Sequence, residues 1–339
     1  MIKKIIFVLI VIAVAVGGYF LYQSYLKPVP KYSGPVEKIT LAAYAGGYGF
    51  LPFIAEDQGY FKENGLDVII KEYDFGKTAC DDMLAGKVDI GTCADFVVTS
   101  YSFDVLDVKV LASIAKSNTD YIVARVDKGI NQPSDLKGKK VGFAPKTKAE
   151  YFLGKWLTSN SLDYKEIVPV KLTPKEIVEA ISKGDIDAAS IWQPYPYEIQ
   201  KRLGAQVKLW SGQSGQEFYC LLVSRGEWLK QHPEATQRFL KAMIRAEEYV
   251  DRNPEAVKNF IARRFNYDTA LVESLWSQNK LVVSLPHELL LAMTDGSHWR
   301  INNNLTADKT TVPNYLHFIY FDALEAVKPE AVTIIRLKR

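Results

Sequence analysis

The stretch KITLAAYAGGYGFLPFIAEDQGYFKENGLDVII, residues 38–70, decides the fold class of this chain. It contains an apolar run at 39–43 that is typical of a buried strand, a helical pattern at 51–58 and a second strand at 66–70. A further helix and a third strand follow within 78–91. This βαβαβ order predicts a parallel sheet with helices packed on its faces.

The same pattern returns further along the chain. The segment KVGFA at 140–144 resembles KITLA at 38–42, and KGDIDA at 183–188 resembles AGKVDI at 85–90. The members of the two pairs are separated by 102 and 98 residues, respectively. Such nearly equal spacing favours two α/β lobes of similar construction, and chance similarity between short segments is the alternative.

The length of the chain also favours two lobes, because a single core rarely grows to about 300 residues. We expect a first lobe at 37–126, a second lobe at 127–216, and a return to the first lobe with C-terminal helices at 217–339. Helices are predicted at 233–250, 254–265, 269–278 and 313–326 of that last part. Two crossings between the lobes would form a two-strand hinge with a cleft beside it.

The N-terminus has the pattern of a membrane-targeting segment. Lys3 and Lys4 precede an uncharged run at 5–26, and a bilayer span needs about 20 apolar residues. We expect 1–26 to be an uncleaved signal anchor, that is, a transmembrane helix, with a cleaved signal peptide as the alternative. Residues 27–36 then form a semi-rigid linker. The remaining chain would lie on the periplasmic, extracytoplasmic face of the inner (cytoplasmic) membrane, or free in the periplasm after cleavage.

Charge and motifs argue against several classes of protein. The formal net charge is +3 with scattered basic residues, whereas a nucleic-acid-binding face needs clustered ones. The sequence has no phosphate-binding loop, no HExxH and no GxSxG, and its four histidines lack metal-ligand spacing. We therefore expect a protein that is not an enzyme, has no cofactor or metal, and does not bind nucleic acid.

The three cysteines, Cys80, Cys93 and Cys220, form no CxxC pair. Buried free thiols are one interpretation, and a Cys80–Cys93 disulfide in an oxidising compartment is the other.

Five segments stand where a parallel sheet presents the carboxyl ends of its strands, which is where such folds bind small molecules. They are 44–50, 74–77, 91–95, 145–148 and 190–195. Glycines in the first segment permit close backbone approach, and its aromatic residues can cover a planar ligand. Asp95 could instead cap the next helix, and the helix after 145–148 could bind an anion. Phe218 and Tyr219, at the return crossing, are further candidates.

The segments FIAEDQGYFKENGLDV (53–68), LAGKVDIG (84–91), DLKGKKVGF (135–143) and DIDAASIWQPY (185–195) together resemble the NMT1/THI5-like family, the nitrate/sulfonate/taurine-type substrate-binding proteins of ABC transporters. The resemblance implies an α/β, type II periplasmic-binding-protein fold with two Rossmann-like lobes and a two-strand hinge. It implies a monomer that closes on a small-molecule ligand and then docks on an ABC permease and its ATPase. The N-terminal transmembrane helix departs from the usual family member.

The resemblance also implies a set of ligand-binding residues in the cleft: Tyr44, Gly47, Tyr48, Phe75, Thr92, Asp95, Lys146, Thr147, Trp192 and Gln193. Pyrimidine synthases of this family carry a CCCFC segment that this chain lacks, which argues against that activity. A membrane-tethered ligand sensor, or an enzyme of the pyrimidine-synthase or menaquinone-pathway kind, is the alternative function.

The candidate loops favour some ligands over others. They contain no arginine, which a bidentate clamp on a sulfonate or carboxylate would favour. Asp95 would prefer N–H donors and Lys146 an anionic end. A small zwitterion or an aminated heterocycle, such as a pyrimidine precursor, therefore fits better than a simple anion, although a sulfonate or taurine is what the family name suggests.

Overall fold

The computed structural model describes residues 32–104, 107–213, 215–307 and 309–337, and the described residues from Val36 onwards form one compact unit. The predicted signal anchor at 1–26 lies outside the described residues, as does the linker up to residue 31. In the described part of the chain, no helix is both long enough and apolar enough to span a bilayer.

The first lobe is built on a sheet of six strands. Its strands are β1 (Glu37–Tyr44), β2 (Leu66–Tyr73), β3 (Ile90–Ala94), β4 (Val108–Ser117), β10 (Phe218–Arg225) and β11 (Asn279–Ser284), in the spatial order β11-β4-β10-β3-β1-β2. Strands β2 and β3 lie parallel to β1, as the βαβαβ pattern predicts, whereas β10 is antiparallel to both of its neighbours.

The second lobe repeats this arrangement with five strands. They are β5 (Asp120–Arg125), β6 (Lys140–Phe143), β7 (Val168–Lys171), β8 (Ala188–Trp192) and β9 (Val207–Ser211), in the order β7-β6-β8-β5-β9. Strands β7 and β8 are parallel to β6, and the inserted strand β5 is antiparallel to β8 and β9. The prediction of two sheet-containing α/β lobes is therefore confirmed.

The repeated aspartates have the same role in both sheets. Asp89 accepts a hydrogen bond from the amide of Thr40 at 2.7 Å, and Asp187 accepts one from the amide of Lys140 at 2.9 Å. Each carboxylate thus joins the start of a central strand to its parallel neighbour. This shared contact gives the repeat of Asp89 and Asp187 a structural cause. The sheet registers, however, pair Leu41 with Ile90 and Val141 with Ala188, so KITLA and KVGFA do not align in the structure as they do in the sequence.

Two chain crossings connect the sheets, one between Ser117 and Asp120 and one between Ser211 and Phe218. Gln213 bridges them, because its Nε2 donates to the Ser117 carbonyl at 3.0 Å and its Oε1 accepts from the Asp120 amide at 2.9 Å. Strand β5 belongs to the second sheet, although the sequence placed 37–126 in the first lobe. An antiparallel strand outside the βαβ alternation carries no pattern that assigns it to either lobe.

Thirteen helices are described besides short 3₁₀ turns in these residue ranges. They are α1 (Leu51–Asp57), α2 (Tyr60–Glu63), α3 (Gly76–Leu84), α4 (Asp95–Tyr101), α5 (Lys148–Ser159), α6 (Pro174–Lys183), α7 (Tyr195–Leu203), α8 (Gly226–Gln231), α9 (Pro233–Arg252), α10 (Pro254–Phe265), α11 (Thr269–Gln278), α12 (His287–Asn302) and α13 (Phe321–Val327). Helix α6 shows how the sequence sets a helix start, since Thr173 and Glu176 form a capping box around Pro174.

The C-terminal part differs from the sequence-based expectation. The helix predicted at 313–326 is a 3₁₀ turn, Tyr315–Phe318, followed by the shorter helix α13. Between them, Ile319 forms a bridge to Val110 of β4, and this extended pairing interrupts the helix. Strand β11 and helix α12 were not predicted.

Candidate functional site

The two lobes meet where β1 of the first lobe and β8 of the second lobe end. Trp192 Nε1 donates to the Tyr44 hydroxyl at 3.1 Å, and that hydroxyl donates to the Gln193 carbonyl at 3.2 Å. All three residues are buried. We call the buried region formed by Tyr44, Gly47, Tyr48, Asp95, Asp120, Lys148, Trp192, Gln193 and Phe218 the seam.

A buried ion pair lies inside the seam. The Lys148 ammonium contacts the Asp120 carboxylate, and each residue is only 1% exposed. The Lys148 Nζ lies 5.2 Å, 4.9 Å and 4.0 Å from the ring centroids of Tyr48, Trp192 and Phe218, respectively. Aromatic faces attract a cation, and most strongly where water is excluded. The seam is therefore a cation-binding cage that holds a side chain of the protein itself.

Burial shifts both members of this pair towards their neutral forms. Burial lowers the pKa of Lys148 to about 8, against the opposing effect of Asp120, and it raises the pKa of Asp120 against the effect of Lys148. One carboxylate oxygen of Asp120 and the hydroxyl of Thr119 are buried without a hydrogen-bond partner in the described part of the chain. A buried polar atom without a partner costs free energy. A hydrogen-bond donor that reached this oxygen of Asp120 would therefore stabilise the seam.

Asp95 is the second carboxylate of the seam and begins helix α4. Its oxygens accept from the amide of Phe96 at 2.8 Å and from the amide of Tyr219 at 3.3 Å. Burial raises the pKa of Asp95 to about 7, although these two amides and Lys148 oppose the shift. Asp95 therefore binds a free amide at the start of its own helix, of which Ala94 is the N-cap, and changes protonation near neutral pH.

Contacts around the seam join the lobes at several points. The Tyr195 hydroxyl donates to the Asp74 carbonyl at 3.1 Å, and Lys175 forms an ion pair with the Asp74 carboxylate at 2.8 Å. On another side, Lys155 of α5 pairs with Asp295 of α12 at 2.7 Å. The described conformation is thus a closed one.

Four of the predicted site residues have other surroundings. Lys146 is exposed and has a left-handed backbone with φ of 59°, and Phe75 is half-buried at the start of α3. The Thr92 hydroxyl accepts from the Tyr44 amide at 2.8 Å, and the Thr147 hydroxyl caps α5 by accepting from the Ala149 amide. The described contacts of Thr92 and Thr147 support the backbone of the seam, and a ligand contact for any of the four remains a prediction.

Sequence reasoning missed the ion pair at the centre. Lys148 belongs to the segment 145–148, but the lysine that the family resemblance implies as a ligand-binding residue is Lys146. The signal was Thr147, which as a helix cap makes Lys148 the first helical residue. Asp120 follows the first crossing and gave no signal. In the described part of the chain, no group of three or more histidines, cysteines or carboxylates could hold a metal ion.

Gly47 sets how closely the lobes approach. A Cβ at this position would lie 2.5 Å from the Gln193 carbonyl oxygen, and the Gly47 carbonyl accepts from Asn279 at 2.8 Å. We expect Gly47→Ala to weaken ligand binding about tenfold, or about 1.4 kcal/mol, because the methyl group obstructs closure against rigid backbone. Titration calorimetry measures the Kd. A Gly47→Ala variant whose free energy of unfolding falls by as much as its free energy of binding would contradict this. The methyl group would then destabilise the folded protein as a whole and not only its closed form.

A sequence profile of the family described as NMT1/THI5 like matches residues 50–257. A binding protein of Brucella abortus (strain 2308) is 26% identical over 247 residues, which cover 72% of this chain and 76% of that protein. The taurine-binding periplasmic protein of Escherichia coli (strain K12) is 27% identical over 194 residues, covering 56% of this chain and 59% of that protein.

Solved structures show the same fold. The alkanesulfonate-binding protein SsuA from Xanthomonas axonopodis pv. citri, bound to MOPS, has a TM-score of 0.75 at 16% identity, covering 85% of this chain and 100% of that one. The predicted α/β periplasmic-binding-protein fold is therefore confirmed for the described lobes.

Proposed function

Because the chain belongs to the NMT1/THI5-like family, we propose that it is the extracytoplasmic solute-binding component of an ABC importer. It binds a small organic molecule in the seam and delivers that molecule unchanged to a permease and its ATPase. The observation that carries this proposal is the closed seam itself, in which rings from both lobes, those of Tyr48, Trp192 and Phe218, surround the ammonium group of the Lys148–Asp120 ion pair. Such a site binds and encloses a ligand, and it needs no catalytic group.

The unpartnered oxygen of Asp120 supports a closure mechanism. A buried, unsatisfied polar atom costs about 1–3 kcal/mol, so closure without a ligand is penalised. A ligand that donates a hydrogen bond to Asp120 removes this penalty, and it contacts Tyr48 of the opposite lobe only after closure. Ligand binding therefore shifts the population from open to closed, and the permease recognises the closed form.

The chemistry of the seam supports a ligand with N–H donors. Asp120 and Asp95 are two carboxylates against one lysine, and the unpartnered oxygens of Asp120 and Thr119 can both accept a hydrogen bond. The rings of Tyr48, Trp192 and Phe218 suit a planar or cationic body. An aminated heterocycle, or a taurine-like zwitterion whose acidic end meets Lys148, fits this set better than a sulfonate without an amine.

The location of the protein is part of the proposal. The taurine-binding relative is named as periplasmic, and we propose that the two lobes lie on the same side of the membrane, held there by an uncleaved anchor at 1–26. The intact mass of the protein in membrane and soluble fractions distinguishes this from a cleaved signal peptide.

Native mass spectrometry of the purified full chain tests the function. We expect a co-purified small molecule that is released chemically unchanged and binds again when added back. Tyr44→Phe should weaken its binding about threefold to tenfold, because a hydrogen bond is worth about 0.5–1.5 kcal/mol net and this hydroxyl bonds across the lobes only in the closed form.

Tyr73→Phe is the matched control, since the Tyr73 hydroxyl donates to Asp82, a residue of the same lobe. Equal losses in Tyr44→Phe and Tyr73→Phe would contradict binding at the seam. A ligand that is released as a different compound would favour an enzyme on this fold instead.

A further inference from the structure

Two cysteines lie side by side in the core of the first lobe. Cys80 is on α3 and Cys93 is on β3, both are fully buried, and their sulfur atoms are 2.7 Å apart. A disulfide bond is about 2.05 Å long, so a small shift separates these thiols from bonding distance. Both are free thiols in this structure.

The backbone around the pair permits this approach. Helix α3 begins at Gly76, where a Cβ would lie 2.7 Å from the Cα of Cys93, so only glycine lets the helix pack directly on the strand. Cys80 follows one helical turn later and points at the same strand position. The contact between the two sulfur atoms is thus a consequence of how α3 and β3 pack.

We infer that Cys80 and Cys93 form a structural disulfide in the exported protein. The inference rests on the extracytoplasmic location proposed above, because disulfides persist in oxidising compartments. A small disulfide, R–S–S–R, is the oxidant. One cysteine thiolate attacks it and releases R–SH, and the second thiolate displaces another R–SH from the mixed disulfide. The two cysteines lose two protons and two electrons, and R–S–S–R gains them.

The bond forms while the chain folds. Burial and the neighbouring Cys80 raise the pKa of the Cys93 thiol, so little reactive thiolate exists once the core has closed. The same burial protects a formed bond from reductants. The bond would fix α3 to β3, and β3 leads directly into Asp95 of the seam.

Cys220 provides an internal control. It is equally buried and lies on β10 opposite Ala94 of β3, and no sulfur–sulfur contact of Cys220 is found in the described residues. Its pKa is also raised by burial. Cys220 therefore matches Cys80 and Cys93 in residue type and in burial. It differs from them in the contact with a second sulfur atom, which only the pair makes among the described residues.

Peptide mapping of the exported full chain, alkylated under denaturing conditions without reductant, tests the inference. We expect one linked peptide pair containing Cys80 and Cys93, and an alkylated Cys220. Cys80→Ala should lower the unfolding midpoint by roughly 3–6 °C relative to the wild type, and a denaturing pulse of dithiothreitol should reduce this difference to the size of the Cys220→Ala shift. Cys220→Ala should show the same shift before and after dithiothreitol.

Alkylated Cys80 and Cys93 in the exported protein would overturn the inference, and so would a midpoint difference that dithiothreitol leaves unchanged. Refolding the reduced full chain with glutathione disulfide tests the pair independently of location. Ligand titration of the same samples separates the two proposals, because a dithiol form that still binds its ligand refutes only the disulfide. A linked form that binds no molecule contradicts only the proposed function.

Discussion

Replacing Lys148 by methionine should lower the free energy of unfolding by about 3–5 kcal/mol, because removal of one member of a buried ion pair leaves the other charge uncompensated. Methionine keeps an unbranched apolar stem of similar length among the rings of Tyr48, Trp192 and Phe218, so lost packing is a small part of the effect. The charge left without a partner is that of the Asp120 carboxylate, which already has one unpartnered oxygen. Urea unfolding at pH 7 measures the change.

A double variant and an exposed pair are the controls. Lys148→Met combined with Asp120→Asn should recover much of the loss, because no buried charge then remains. Lys77→Met breaks the pair of Lys77 with Asp81, whose side chains are 24% and 42% exposed, and should cost less than about 1 kcal/mol. If Lys148→Met cost no more than Lys77→Met, the ion pair would be hydrated and the seam open.

The same pair shows why the site was only partly predictable from sequence. The ends of parallel strands are a general position for binding, and five predicted residues lie at or just beyond the ends of strands with a clear apolar pattern: Tyr44, Gly47, Tyr48, Trp192 and Gln193. Residues at such positions could therefore be selected, and these five lie in the seam. Lys148 and Asp120 meet because α5 packs beside β5 within the second lobe, and no local pattern encodes the distance between β5 and α5.

The fold was predictable where each element buries one regular face. The parallel strands and helices α9, α10 and α11 have such faces, and their positions follow from periodicity. Helix α12 does not, because Gly296 packs against Phe96 of one lobe and Trp299 against Gly154 of the other. A helix that contacts both lobes has no single apolar stripe, so helix α12 could not be predicted from the sequence pattern.

Lowering the pH from 8 to 5 should make Asp95 contribute about 2–3 kcal/mol more to the free energy of unfolding. Burial raises the pKa of Asp95 from 3.8 to about 7, so the folded state binds more protons than the unfolded state between these values. The contribution is complete below the unfolded pKa and is lost as the pH rises through 7. Urea unfolding at pH 5, 6, 7 and 8 measures it as the difference between the wild type and Asp95→Asn.

Asparagine resembles the protonated carboxyl, so Asp95→Asn should be most stable relative to the wild type at pH 8, and the advantage should fall as the pH is lowered. Asp120 and Glu150, whose pKa values burial also raises, are present in both proteins, so the difference reports Asp95 together with its electrostatic interactions with Asp120 and Lys148. Asp135→Asn is the control of opposite sign, because two backbone amides lower the pKa of Asp135 and its contribution is lost on acidification. Parallel profiles for the wild type and Asp95→Asn would mean that Asp95 reaches water. The seam would then be open to water beside Asp95. The excess of two buried carboxylates over one lysine, which favours a ligand with N–H donors, would no longer hold.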